Sequence, residues 1–490
     1  LLSAVLFAAV PFERTCDFAP VTCGARQRAS ERTRLYAEFQ IKYGLYHNYL
    51  WRRTDRPLFF DRSLRPADNR FTYETPASYL VNVREARRMG LDGFNLITLK
   101  SRFKEFVAFD RWSREAGVTD FANLFTVGYG ENSQKSASAE LFGMTIEAAL
   151  KDPLAPRLRG KPLIATYNYR MYTPDEHRAF IAGLEERFGK DSFILCGDLS
   201  GALLSRLRRS YDANGRLSSA DVAELEAAIR EVLDVVGGLQ LSVPQYYREI
   251  DGAYPRRSDF RLFDAYIAPA LERVFALPQY RDKALGFYVR QGYVNYKNGD
   301  HDDEACTATL RNELRRVARL NPDYLLFFEW NEVDENTMFQ PTVTGGSTVG
   351  RILRYHSRVL NGLKPDPYPG DDVTVPPLAL TSRSTVKLGE ELHFEILNVP
   401  DGTFAEEMKV RLSVVGRDGR PVADFPEETV AADRFGAVDY KVSTAGLRGG
   451  DVLVPTLTVN GRRFEGFVPV RVEPTVSWNY KTIRQSLRDL

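Results

Sequence analysis

The chain has 490 residues, of which 43% are hydrophobic and 27% are charged. This composition is typical of a folded globular protein and excludes a mainly disordered chain, and the length predicts roughly two or three domains. Because 66 basic residues balance 65 acidic ones, the chain is predicted to bind no nucleic acid and to lack a polybasic membrane surface.

The N-terminal segment, residues 1–40, has no clear periodicity. Residues 1–10 are almost continuously apolar, which is typical either of the core of an export signal or of a buried strand. Cys16 and Cys23 lie close together in a loop-like segment, so a local disulfide is expected. Both features favour a secreted, periplasmic or cell-surface protein. No apolar run reaches 18 residues, so no transmembrane segment is predicted.

From residue 41 to 363, apolar strand-like runs alternate with amphipathic helix-like segments. The predicted strands are residues 42–50, 91–99, 162–169, 192–199, 238–244, 285–293 and 324–331, and the predicted helices are 78–89, 174–188, 219–236 and 307–320. Continuous apolar strands alternating with helices indicate a parallel α/β fold. We predict a (β/α)8 TIM-type barrel whose eighth strand is either the N-terminal apolar run or a segment after Pro341. A doubly wound sheet is disfavoured, because no Gly-rich phosphate turn follows a strand.

The remainder of the chain has a different pattern. Residues 364–377 are rich in Pro and Asp and are predicted to be a linker. Residues 378–475 contain short segments of alternating polarity separated by turn signals such as Asn460-Gly461, which predicts an Ig-like β-sandwich domain. The tail, residues 476–490, is polar and is predicted to be helical.

The most informative segment follows the last barrel strand. Within seven residues it carries four carboxylates, at Glu329, Glu332, Asp334 and Glu335. In a parallel barrel the carboxyl ends of the strands carry the chemistry, whereas a solvated helix start is the alternative explanation for acidic residues. Burying carboxylates costs folding free energy, so four of them beside a buried strand indicate a functional site.

The motif Asn331-Glu332-x-x-Glu335-x-Thr337-x-x-x-Pro341, preceded by Trp330, resembles the catalytic signature of glycoside hydrolase families 99 and 71. These are endo-α-mannosidases and endo-α-1,3-glucanases built on (β/α)8 barrels. Residues 81–95 also resemble a helix and strand of these enzymes, and the similarity extends in patches over residues 40–362. Val333-Asp334 and Asn336 depart from the usual pattern. Both acids are retained, but the motif does not determine the substrate.

The resemblance implies an endo-acting glycoside hydrolase on an α-linked polysaccharide or glycan, with no required cofactor. Glu335 would be the general acid/base, and Glu332 would be the base that acts on water or on the sugar 2-hydroxyl. Separations of about 5–5.5 Å between the carboxyl groups suit retention of configuration and about 6.5–9.5 Å suit inversion, and the sequence fixes neither. The alternatives are a non-catalytic glycan-binding protein on a degenerate barrel and a glycan transferase or lyase.

Polar and aromatic residues near the predicted strand ends are candidates for the walls of a sugar cleft, because rings stack on sugar C–H faces and amides bind hydroxyl groups. These candidates are Asp92, Asn95, Asn168, Tyr169, Tyr246, Gln291, Tyr293, Trp330 and Asn331.

Residues 210–221 have the spacing of a calcium-binding loop. Asp212, Asn214 and Asp221 occupy ligand positions, and Gly215 stands at the turn. Position one is Ser210 instead of the usual Asp. The alternative is a turn between two helices in which Ser218 and Asp221 form a capping pair. A structural Ca²⁺ is therefore the one metal ion that the sequence suggests.

Overall fold

The structure is a computed structural model that describes residues 12–39, 75–98, 103–128, 135–167, 174–242, 246–250, 253–294, 301–332, 337–475 and 482–490.

Strands and helices alternate through the N-terminal two thirds of the chain. In chain order the strands are β1 (Phe12–Asp17), β2 (Arg34–Glu38), β3 (Gly93–Thr98), β4 (Leu124–Gly128), β5 (Arg157–Leu158), β6 (Lys161–Tyr167), β7 (Ile194–Gly197), β8 (Gly238–Ser242), β9 (Tyr246–Ile250), β10 (Ala253–Asp259), β11 (Ala284–Val289), β12 (Tyr293–Val294), β13 (His301–Asp302) and β14 (Tyr324–Phe327). The helices are α1 (Pro76–Arg88), α2 (Phe103–Glu115), α3 (Lys135–Lys151), α4 (Pro174–Phe188), α5 (Gly201–Asn214), α6 (Ser219–Val235), α7 (Ala268–Phe275), α8 (Ala308–Arg319) and α9 (Thr348–Val359), with a π-helical turn at Phe263–Ile267 before α7.

Eight parallel strands form a closed barrel. Their order around the ring is β2, β3, β4, β6, β7, β8, β11 and β14, and β14 pairs with β2 to close it. Every residue of β11 is buried, as expected for a strand covered by side chains on one face and by helices on the other. The predicted (β/α)8 barrel is therefore confirmed.

Large side chains fill the barrel axis. Tyr36 and Tyr324 lie in an inner cluster with Cys196, and the Tyr324 hydroxyl donates to Gln240 Oε1 at 2.9 Å. Gly286 faces the Tyr324 ring so closely that a Cβ at this position would lie 2.2 Å from a ring carbon. The barrel interior is thus a packed core rather than a channel.

The C-terminal third is a β-sandwich, as predicted. Its strands are β15 (Leu378–Arg383), β16 (Thr385–Lys387), β17 (Glu391–Asn398), β18 (Met408–Gly416), β19 (Pro421–Asp424), β20 (Glu428–Val430), β21 (Gly436–Ser443), β22 (Val452–Val459), β23 (Arg462–Phe464), β24 (Val470–Glu473) and β25 (Thr482–Ser486), followed by a 3₁₀ turn at Leu487–Asp489. One sheet has the order β1-β21-β17-β15-β25, and β16, β18–β20 and β22–β24 form the other. Apolar side chains of both sheets make one shared core.

Several predicted elements differ from the structure at the N-terminus. The first barrel strand is β2, within the segment predicted to lack a pattern, and the eighth-strand prediction was wrong because β2 and β4 complete the ring. The predicted strand 42–50 and residues 1–10 lie outside the described residues. Strand β1 belongs to the sandwich, so the N-terminal segment contributes one strand to the sandwich and one, β2, to the barrel.

The cysteine and tail predictions were also wrong. Cys16 and Cys23 are free thiols, because Cys16 is fixed in β1 opposite Val438 whereas Cys23 Sγ approaches the carbonyl oxygen of Leu360 at 3.8 Å. The tail predicted to be helical contributes β25, which pairs antiparallel with β15. Apart from the segments outside the described ranges, no helix is long and apolar enough to cross a membrane.

Candidate active site

The chain turns back on itself after the last barrel strand. Glu329 N donates to the carbonyl oxygen of Thr337 at 3.1 Å, and Phe339 N donates to Glu329 O at 2.8 Å. Gln340 N donates to Trp330 O at 3.0 Å. These three bonds hold an outgoing arm, residues 329–332, against a returning arm, residues 337–340, at the carboxyl end of β14. We call this hairpin the acidic loop.

Glu332 lies at the end of the outgoing arm. It is 2% exposed, and its neighbour Asn331 is 1% exposed. Glu335 lies outside the described residues, in the stretch between the two arms. The structure therefore locates one of the two predicted catalytic acids at the carboxyl end of the barrel, which is the end where parallel barrels carry their chemistry.

A second buried acid comes from the neighbouring strand. Glu38, the last residue of β2, is fully buried, and its carbonyl oxygen accepts a 2.6 Å hydrogen bond from Trp330 N. Because residues two apart on a strand share a face, Glu38 points to the barrel axis as Tyr36 does. Glu38 was not predicted from the sequence, although it ends a short apolar run just as Glu329 does.

Asn95 belongs to the same inner layer. It lies opposite Glu38 in the register of β2 and β3, and its Oδ1 accepts a 2.5 Å hydrogen bond from Thr126 Oγ1 on β4. Asn95 is fully buried, and its Nδ2 has no hydrogen-bond partner among the described atoms. Asn95 therefore lies on the axis side of the barrel, as its predicted role in binding sugar requires.

Gln291 supports the acidic loop. It follows β11, is 2% exposed, and donates from Nε2 to the carbonyl oxygen of Met338 at 2.6 Å. The amide NH₂ group of Gln291 thus binds the returning arm of the loop, whereas contact with substrate was predicted from the sequence.

Tyr246 and Tyr293 lie in a small sheet made by the loops after β8 and β11. Its order is β12-β13-β10-β9, with Tyr246 opening β9 and Tyr293 opening β12. Since both loops leave the carboxyl ends of barrel strands, this sheet stands on the same side of the barrel as Glu332. Asn168 and Tyr169 lie outside the described residues, after β6.

Trp330 was predicted to bind substrate, and that prediction was wrong. The side chain is fully buried in the layer between strands and helices, and its Nε1 donates to Asn82 Oδ1 of α1 at 2.8 Å. The Phe94 ring packs 5.3 Å away. Trp330 therefore anchors the acidic loop to the helical layer.

Asp92 was also misassigned. It precedes β3 and so lies at the amino end of the barrel, opposite to Glu332. Its Oδ2 accepts from Leu35 N at 2.8 Å, and its Oδ1 pairs with Arg32. A strand of about six residues is roughly 20 Å long, so a wall of the same cleft cannot include Asp92.

A buried acid supports the segment after β11. Glu313 of α8 accepts from the backbone N–H of Arg290 at 2.7 Å, and the Arg290 guanidinium lies 5.3 Å from the centre of the Phe328 ring. Burial raises the pKa of Glu313 well above its ordinary value, and the hydrogen bond from Arg290 opposes this shift. The Phe328–Glu329 peptide bond is cis.

The calcium-loop prediction does not fit the structure. Asp212 and Asn214 lie in α5, where Asp212 pairs with Arg208 at 2.6 Å, and Gly215 ends the helix in the left-handed conformation. Asp221 forms a capping box with Ser218 at the start of α6 and pairs with Arg206 at 2.8 Å. Helical geometry directs these side chains to separate partners, and within the described ranges no group of three or more His, Cys, Asp or Glu could hold a metal ion.

Comparisons with known proteins give similarity at the level of fold. No model of a protein family matches the chain, and no curated protein matches it. Among solved structures, the GH99 endo-alpha-mannosidase from Bacteroides thetaiotaomicron is 12% identical with a TM-score of 0.39, covering 57% of this chain and 74% of that chain. The same enzyme in complex with bis-tris-propane is 13% identical with a TM-score of 0.43, covering 64% and 88%.

A structure described as a glycoside hydrolase-like protein is 11% identical with a TM-score of 0.46, covering 69% of this chain and 96% of that chain. All three similarities are at 11–13% identity with TM-scores of 0.39–0.46.

Proposed function

We propose that the chain is a glycoside hydrolase in which Glu332 and Glu335 cleave an α-linked polysaccharide or glycan at internal positions. One observation carries this proposal. Glu332 lies buried on a hairpin that leaves the carboxyl end of the last strand of a closed parallel barrel. Glu335 follows Glu332 by three residues, so the Cα atoms of the two acids cannot be more than about 11 Å apart.

The chemistry needs two carboxyl groups in different protonation states. Glu335 donates a proton to the glycosidic oxygen as the bond to the anomeric carbon breaks, so the leaving sugar departs as an alcohol. Glu332 removes a proton either from water, which then forms the new bond to the anomeric carbon, or from the sugar 2-hydroxyl, which forms a 1,2-anhydro sugar. On the second route water opens the anhydro sugar at the anomeric carbon, with Glu335 taking a proton from the water and Glu332 returning a proton to O2. Two close carboxylates disfavour joint ionisation, which supports one protonated and one ionised group.

Surrounding residues would set the geometry of this step. Trp330 and Gln291 hold the two arms of the acidic loop, and Glu38 and Asn95 present polar groups to the barrel axis. A rigid, dehydrated mouth strengthens charge interactions with the developing positive charge at the anomeric carbon. No bound cofactor takes part in the proposed reaction.

The experiment is an activity screen of the wild-type chain on α-mannans, α-glucans and bacterial or algal polysaccharides. We expect Glu332→Gln and Glu335→Gln each to reduce kcat by at least about 10³-fold with an unchanged fold, because each amide removes one proton-transfer group. Glu272→Gln is the control, since this residue lies on α7 in an exposed pair with Arg319 and should keep full activity.

Product analysis separates the proposal from its alternatives. Hydrolysis incorporates oxygen from labelled water, a transferase moves the sugar to another hydroxyl group, and a lyase leaves a double bond. Full activity in either Gln variant on a confirmed substrate would contradict the role given to that residue, and binding without turnover would favour a non-catalytic glycan-binding protein.

A further inference from the structure

The returning arm of the acidic loop carries one side-chain clamp from the neighbouring strand. Gln291 Nε2 donates to Met338 O at 2.6 Å, and both residues are buried. Met338 stands between Thr337 and Phe339, which exchange backbone hydrogen bonds with Glu329 on the outgoing arm. The position of the returning arm is therefore fixed from both sides, by Glu329 and by Gln291.

Gln291 is itself held against the join between the barrel and the C-terminal strand. The backbone at Gly292 is so close to Glu304 that a Cβ there would lie 2.3 Å from Glu304 Cγ. Glu304 forms a buried ion pair with Arg484 of β25, and Arg484 Nε donates to Cys306 O at 3.3 Å. The segment after β11 thus lies between the acidic loop and the edge strand of the sandwich.

The same edge strand binds the segment that follows the acidic loop. Arg484 N donates to Thr344 O at 3.3 Å, and Thr348 Oγ1 donates to Arg484 O at 2.8 Å. A small cavity of about 20 Å³ lies among Gln291, Gln340 and Arg484, which is about the volume that one water molecule needs. Its lining residues include Gln291, Gln340 and Thr482. Gln291 Oε1, both polar side-chain atoms of Gln340 and Thr482 Oγ1 are buried and have no hydrogen-bond partner among the described atoms.

We propose that Gln291 is a positioning residue that holds Glu332 in place by clamping the returning arm of the acidic loop, with β25 as its support. This inference rests on the proposed function, because the arm that Gln291 holds is hydrogen-bonded to Glu329 and Trp330 on the arm that carries Glu332. Loss of the clamp lets the arm move relative to Glu332 while the cleft walls stay in place. A displacement of about 1 Å at a catalytic group costs up to about 100-fold in rate.

The test replaces Gln291 with Met, which keeps the volume and removes the donated hydrogen bond. We expect Gln291→Met to lower kcat about 10- to 100-fold with KM changed less than about twofold. The pH–rate profile should also shift, because the spacing of two carboxyl groups sets their mutual repulsion. A side chain with a merely structural role would lower the melting temperature and leave kcat and the pH profile of the folded enzyme unchanged.

The matched control is Asn398→Leu. Asn398 of β17 also donates from its side-chain amide to the backbone, to Arg434 O at 2.8 Å and to Ala431 O at 3.0 Å, within the sandwich. This variant should lose thermal stability and keep the wild-type kcat. Equal kcat loss in both variants, or wild-type kcat in Gln291→Met, would overturn the inference.

A second readout requires no activity. Hydrogen exchange of the amides at Phe339 and Gln340 should quicken roughly five- to tenfold in Gln291→Met, the factor that corresponds to one lost net hydrogen bond, and not in Asn398→Leu. Unchanged exchange would refute the clamp. If exchange changes as expected while the wild-type chain cleaves no glycan, the clamp stands and the proposed function fails.

Discussion

Asp110 lies in the helical layer, where burial makes ionisation of its carboxyl group unfavourable. It lies on α2, 5% exposed, and accepts a 2.7 Å hydrogen bond from Asn123 Nδ2. Burial raises the pKa of Asp110 to about 7, and the nearby Asp152 acts in the same direction. An unfolded Asp has a pKa of about 3.9, so the folded state holds the extra proton between about pH 4 and pH 7.

This shift predicts a pH-dependent stability. The stabilising contribution of the proton is complete below about pH 4 and is lost as the pH rises through 7. The side chain of the Asp110→Asn variant stays uncharged at every pH. The free energy of unfolding of this variant minus that of the wild type should therefore increase by up to about 1.4 kcal/mol per pH unit between pH 4 and 7, and should stay constant above pH 7.

Urea unfolding at pH 5, 6, 7 and 8 measures this difference. Asp120→Asn, at an exposed partner of Arg87, should give a difference that does not change with pH. A flat difference for Asp110→Asn would show that this carboxyl group is ionised throughout the range.

Individual site residues could be predicted only in part. The position of Glu332 at the carboxyl end of the barrel could be predicted, because an acidic run follows an apolar strand. Asp92 and Trp330 were misassigned, since a sequence does not show whether a residue before a strand lies at the other end of the barrel, or whether a ring faces the helices. Their partners, Leu35 and Asn82, lie 57 and 248 residues away.

The close contact between β11 and β14 requires glycine at position 286. A Cβ at Gly286 would lie 2.2 Å from one ring carbon of Tyr324 and 2.6 Å from its hydroxyl oxygen. Overpacking of this kind costs typically about 1–3 kcal/mol, so Gly286→Ala should lower the free energy of unfolding by that amount.

The matched control is Gly183→Ala on α4. A Cβ there meets nothing within 4 Å, and alanine is the better helix former by about 1 kcal/mol. Chemical denaturation should therefore show one glycine variant less stable and the other at least as stable as the wild type. If Gly286→Ala is as stable as the wild type, the barrel interior accommodates a Cβ at this position and the tight packing against Tyr324 is contradicted.

Elements with strong periodicity or marked ends were predictable. The helix at residues 174–188 was predicted with its observed bounds, since Pro174 and two acids mark its start. Strand β2 was missed because it follows a basic stretch that obscures its apolar run, and β4 was missed because Thr126 interrupts its short apolar run. The calcium-loop spacing was a local coincidence, because a left-handed Gly215 also serves as the end of a helix.

Barrel and sandwich are joined by buried charges. Arg311 of α8 has no exposed side-chain surface and pairs with Asp17 of β1 at 2.9 Å and Glu395 of β17 at 2.7 Å. Asp303 pairs with Arg383 of β15 at 2.7 Å. Removing one member of such a pair leaves an uncompensated buried charge, so these contacts fix how the two units sit.

This join was not predictable from sequence. The partners of Arg311 lie 294 and 84 residues away, and composition alone describes residues 364–377 as a linker. In the structure Asp371 of that segment pairs with Arg351 and Arg488, so the segment is bound to both units. The C-terminal strand β25 completes the arrangement, because its Arg484 bonds to Thr344 just after the acidic loop and pairs with Glu304, so the sandwich braces the barrel mouth.

A crystal structure of the Glu332→Gln variant with an oligosaccharide that the wild type cleaves tests the central claim most directly. The account predicts that the side chains at 332 and 335 both approach one glycosidic linkage, with a separation of about 5–5.5 Å for a retaining or about 6.5–9.5 Å for an inverting enzyme. A glycan bound away from the carboxyl end of the barrel, or side chains at 332 and 335 that face opposite ways, would contradict it.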